Sequence, residues 1–68
     1  MKAKITFSYP RMFVHKGERP EIRDIKVGEI VDAIVNGDRT EVYFNDFCRV
    51  NIFGDAFKDK GPMQLEAL

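Results

Sequence analysis

Residues 25–57 read IKVGEIVDAIVNGDRTEVYFNDFCRVNIFGDAF. Apolar side chains recur in three short runs, separated by Asn36-Gly37-Asp38 and by Asn45-Asp46. A half-buried strand alternates its side chains with a period of two, and Asn-Gly readily adopts the positive φ angles of a tight hairpin. The stretch therefore predicts a small antiparallel β-meander. In residues 29–35 both faces carry apolar groups, Val31, Ala33 and Val35 on one and Ile30 and Ile34 on the other, as in a central strand or one bent across a barrel. Residues 39–44 set Thr40, Val42 and Phe44 opposite Arg39, Glu41 and Tyr43. Residues 47–52 set Cys48, Val50 and Ile52 opposite Phe47, Arg49 and Asn51.

Three hairpin-linked strands need further sheet to bury their apolar face. Residues 2–9 supply it, with Ala3, Ile5, Phe7 and Tyr9 alternating against Lys2, Lys4, Thr6 and Ser8. Pro10 lacks a backbone donor and marks a strand end or edge, after which Met12, Phe13 and Val14 continue the strand past a bulge. Residues 15–21 are polar, contain Gly17 and Pro20 and have no periodicity, which predicts an exposed loop. Phe53-Gly54-Asp55-Ala56-Phe57 breaks the alternation and reads as a turn or a single 3₁₀ turn with Phe57 closing the barrel end. Gly61-Pro62 ends regular structure, so one domain over residues 1–60 and a flexible tail over 61–68 are expected.

The 68 residues suffice for one domain, which at this size buries only about 60% of its unfolded surface. A homodimer is therefore compatible with the sequence as a way to gain buried area. Eleven basic and eleven acidic residues balance overall, but unevenly: residues 1–27 carry seven basic against three acidic side chains, a net of +4, and residues 28–68 a net of −4. With Cys48 as the single cysteine, no internal disulfide forms within the chain, and a reducing cytoplasmic setting is expected. No leader or membrane-spanning run is evident.

Residues 26–58 resemble the small SH3-like barrels found among phage and prophage accessory proteins. The residues that carry the resemblance are Val27, Gly28, Ile30 and Val31 at the opening, Asn45 and Asp46 at the turn, and Phe57 near the end. The resemblance implies a short accessory protein that binds other macromolecules, and it carries over no catalytic residues.

Nothing in the sequence assembles a catalytic or metal-binding constellation. His15 stands in a polar, basic segment that repels cations. Cys48 alternates with Val50 and Ile52 as an inward thiol. Asp46, Asp55 and Asp59 fall at turns, where Asp hydrogen-bonds the local backbone. No enzyme, cofactor or metal is expected. The strongest functional signal is aromatic and basic residues sharing strands: Tyr43 with Arg39, and Phe47 with Arg49, expected as cross-strand neighbours on an exposed face. Such a patch suits a protein interface, where Tyr and Arg are enriched. It also suits stacking on single-stranded nucleic acid, with Lys2, Lys4 and Arg11 in support; otherwise Phe47 packs beneath the residue 15–21 loop. The favoured expectation is an all-β, SH3-like open barrel of about five strands acting as a protein-interaction module that binds or inhibits a host protein. Its contacts would be Arg39, Tyr43, Phe47 and Arg49, rimmed by Lys16 and Arg19. A single-strand nucleic-acid binder and a purely homo-oligomeric structural subunit stand as alternatives.

Overall fold

Seven strands form one antiparallel sheet in a computed structural model, which describes residues 1–59 and 61–68. They are β1 (Lys2–Ser8), β2 (Arg11–Lys16), β3 (Arg19–Asp24), β4 (Ile30–Asn36), β5 (Arg39–Tyr43), β6 (Cys48–Phe53) and β7 (Met63–Ala67). Their spatial order is β3-β2-β6-β5-β4-β1-β7. The sheet is not closed into a barrel, and no helix occurs among the described residues. All-β character and the β4–β5–β6 meander are as the alternation predicts, while the strand count rises from about five to seven.

The two added strands have distinct origins. Residues 15–21 are not a loop: Lys16 pairs with Arg19 around Gly17-Glu18, and β2 and β3 form a hairpin. Gly17 has φ 64° and Gly37, between Asn36 and Arg39, has φ 66°. Both two-residue loops thus place glycine first with positive φ and an acidic residue second, the type II′ arrangement. The second added strand lies in the expected tail, where Met63–Ala67 pair with β1. Met63 and Leu65 are buried there because they complete the core beside Ile5.

Strand β1 follows its predicted alternation only halfway. Ala3 and Ile5 are fully buried, but the register with β7 shifts between Ile5 and Phe7. One extra residue in a strand reverses the facing of everything beyond it. Phe7 and Tyr9 accordingly lie exposed, packed edge to face with centroids 6.3 Å apart.

The inner face gathers Ala3, Ile5, Val14, Val31, Ala33, Val42, Phe44, Cys48, Ile52, Met63 and Leu65, with Ile25 and Ala56 from connections. Val35, expected inward, is exposed at the end of β4. Thr40 is the one buried polar residue among the described positions. Its Oγ1 donates to the Gly54 carbonyl and accepts from the Ala56 N–H, both at 2.9 Å. The Ala56 carbonyl in turn accepts from the Leu65 N–H at 2.8 Å. This relay runs from the middle of the sheet to β7 and seats Ala56, rather than Phe57, in the core; Phe57 is half-buried against it. The segment is a hydrogen-bonded turn, the first of the two forms expected, with the Lys58 and Asp59 N–H groups donating to the Asp55 carbonyl.

Candidate interaction surface

Tyr43 and Phe47 are not cross-strand neighbours. Tyr43 pairs with Arg49, and Phe47 belongs to the three-residue loop Asn45-Asp46-Phe47 that joins β5 to β6. Asp46 shapes that loop by accepting the Cys48 N–H on Oδ1. A three-residue hairpin loop closes with its last residue in the left-handed region. Here that residue is Phe47, at φ 68°. The position favours Gly or Asn, because a Cβ there crowds the backbone. Phe47 is also 85% exposed, so it does not pack beneath the β2–β3 connection.

Register places four further candidate residues at the Phe47 end of the sheet, Tyr43 and Arg49 on the outer face and Lys16 and Arg19 on the face of Cys48. Lys16 lies opposite both Cys48 and Arg19, at the end of the β2–β3 hairpin. Arg49 lies between His15 on β2 and Tyr43 on β5, and Asp32 flanks Tyr43 on β4. Tyr43 donates its hydroxyl to Glu41 Oε1 at 2.6 Å, and that hydrogen bond raises the phenol pKa above its ordinary value. Lys16, Arg19 and Arg49 stand outside the ion pairs of the described residues. Arg39 is set apart. It lies four residues from Tyr43 along β5, about 14 Å away at strand spacing, opposite Asn36 and Phe53. There it lines a surface groove of about 250 Å³ with Asn51, Ile52 and the exposed Phe53.

The scaffold under Phe47 is held by Arg23, which the periodicity of its segment does not single out. Its guanidinium donates to both Glu29 carboxylate oxygens at 2.9 and 3.1 Å and to Asp46 Oδ2 at 2.9 Å. It also lies 4.1 Å from the centroid of the Phe44 ring. A bidentate Arg–carboxylate pair over an aromatic face is a strong, directional contact. One side chain thereby ties β3, the β3–β4 connection and the β5–β6 loop together. Through these hydrogen bonds to Arg23, both Glu29 and Asp46 are held below their ordinary carboxylate pKa.

Cys48 is a free, buried thiol whose pKa is pushed up, chiefly by burial. His15 is exposed on β2 rather than in a loop. Asp55 and Asp59 hydrogen-bond nearby backbone N–H groups. No cluster of three or more potential metal ligands occurs among the described residues. Exposed Phe13 and Ile22 were missed as surface candidates. They are a cross-strand pair on β2 and β3, legible once Gly17-Glu18 is read as a second glycine-first hairpin loop like Gly37-Asp38. The chain matches no family model, no curated protein and no solved structure.

Proposed function

We propose that this chain is a non-enzymatic protein-interaction module whose contact centre is Phe47, flanked by Tyr43, Arg49, Lys16 and Arg19. The observation that carries this reading is Phe47 itself: an exposed aromatic ring on a left-handed backbone position. Neither burial nor backbone preference accounts for phenylalanine there, and strained, exposed residues on rigid scaffolds concentrate at binding sites. An aromatic anchor beside arginine has the composition of an interface hot spot. Arg39 with Phe53 forms a separate, second rim. The resemblance of residues 26–58 to small SH3-like barrels supports an accessory role in a phage or mobile element, directed at a host protein.

Single-strand nucleic-acid binding is favoured by the unpaired Lys16, Arg19 and Arg49. It is opposed by Glu41, which accepts the Tyr43 hydroxyl and repels phosphates, while Asp32 on the other side of Tyr43 is paired with Lys2 at 3.0 Å. A protein partner accommodates both charges. The deciding experiment compares affinity capture by the wild type and by Phe47→Gly, a substitution suited to the backbone. Loss of the captured protein with the fold retained is expected. Equal capture by both, or salt-sensitive binding of a mixed-sequence single-stranded oligonucleotide, overturns the reading.

A further inference from the structure

The two edges of the sheet are finished differently. On β7 the Leu65 N–H is capped by the Ala56 carbonyl. On β3 the outward groups can be assigned from the ladder. Lys16 and Arg19 flank a two-residue loop and form a hydrogen-bonded pair, and such pairs then alternate along the hairpin. The Ile25 N–H donating to the Pro10 carbonyl at 2.9 Å fits the same alternation. Pro20, Ile22 and Asp24 therefore turn their backbone groups to the open edge. Pro20 has no N–H to offer, and the Asp24 carbonyl already accepts from Arg23 Nη1 at 3.1 Å.

We infer that this edge pairs with β3 of a second copy of the chain, antiparallel, about a two-fold axis at Ile22. In that register each Ile22 exchanges two hydrogen bonds with its counterpart, and each Asp24 N–H meets the Pro20 carbonyl of the other copy. The two groups with nothing to give, the Pro20 nitrogen and the engaged Asp24 carbonyl, face each other. The inward residues choose between registers. Glu21, which is in no ion pair among the described residues, comes opposite Arg23 of the second copy, whose guanidinium already holds Glu29 and Asp46 of its own chain, so the register is set by the like charges it avoids. Slipping by two residues sets Glu21 against Glu21 or Arg23 against Arg23, and like charges directly opposed are unfavourable. A one-residue slip pairs an outward group with an inward one and breaks the ladder.

On the outer face the same register joins Phe13 and Ile22, 75% and 63% exposed, to their counterparts in one apolar strip. The groove of about 180 Å³ that Phe13 and Ile22 line with Arg11 and Met12 is covered in the process. An unrelated extended strand would present an N–H to the occupied Asp24 carbonyl and would lack the Ile22–Phe13 continuation. The contact is small beside the roughly 1,200 Å² of a standard interface, so the dimer is weak, with micromolar dissociation.

Sedimentation equilibrium up to about 1 mM protein tests this, alongside amide exchange at low and high concentration. The wild type is expected to dimerise, with Ile22 and Asp24 amides gaining protection as concentration rises. Ile22→Lys, at an exposed site, sets like charges at the axis, and Ile22→Pro removes the outward donor without touching the β2 ladder; each is expected to raise the dissociation constant at least about tenfold. A wild type that stays monomeric, or a dimer unmoved by both variants, overturns the inference. The outcome is independent of Phe47, which lies outside β3.

Discussion

At Phe47 two unfavourable features coincide: a ring left in water and a backbone angle that costs an L-residue about 1–2 kcal/mol. Glycine removes the second cost and returns part of it through the extra freedom of the unfolded chain. Phe47→Gly is therefore expected to stabilise the fold by roughly 0.5–1 kcal/mol in urea denaturation, while abolishing partner capture. A loss of stability would show that the ring packs in the folded state. The Arg23 cluster gives a second prediction. Glu29 and Asp46 have folded pKa values below their ordinary 4.5 and 3.8, so the unfolded chain takes up protons more readily than the folded one. Their contribution is fully present above those values and is lost as pH falls from about 4.5 downward through the lowered folded pKa values. Glu29→Gln is expected to lower stability at pH 7 and to flatten the decline between pH 5 and 3, measured as urea midpoints. Parallel wild-type and variant profiles would remove Glu29 from the account.

Among the elements, β7 was the hardest to read: Met63-Gln64-Leu65-Glu66-Ala67 alternates through two full periods, but the run is only five residues long and follows Gly61-Pro62. Its burial comes from tertiary pairing with β1, which local periodicity does not encode. Leu65→Ala is expected to cost about 2–5 kcal/mol, a large share of the stability of so small a domain; a change within experimental error would restore a dispensable tail. Strands β4, β5 and β6 were legible because their alternation is regular and their turns carry Asn, Gly and Asp. The β2–β3 hairpin was not, since Lys16, Arg19, Pro20, Glu21 and Arg23 hide the pattern under charge, as suits an edge strand. The bulge in β1 was equally silent: Ala3, Ile5, Phe7 and Tyr9 alternate without a break, and only the pairing with β7 reveals the slip. Of the candidate surface, Tyr43, Arg49, Lys16 and Arg19 share the Phe47 end of the sheet by way of loop closure and strand order, on its two faces, whereas Arg39 is parted from them by strand length.

Taken whole, the molecule is a curled sheet, 28 × 24 × 19 Å, with its first and last strands side by side and β3 and β7 at its edges. The Ala56 carbonyl caps the Leu65 N–H in the middle of β7, while β3 carries proline and charge and offers the edge assigned to self-association. The adjacency of β1 and β7 has its own consequence. The Leu68 N–H donates to the Lys2 carbonyl at 3.1 Å, so a short glycine bridge could join the two ends and a new opening be cut at Gly37-Asp38, leaving every ladder intact. Such a circular rearrangement is expected to keep the wild-type amide spectrum apart from residues at the splice and the cut. Because β4 and β5 would then be held together only through the completed sheet, the permuted chain would assemble by a different order of events while arriving at the same molecule.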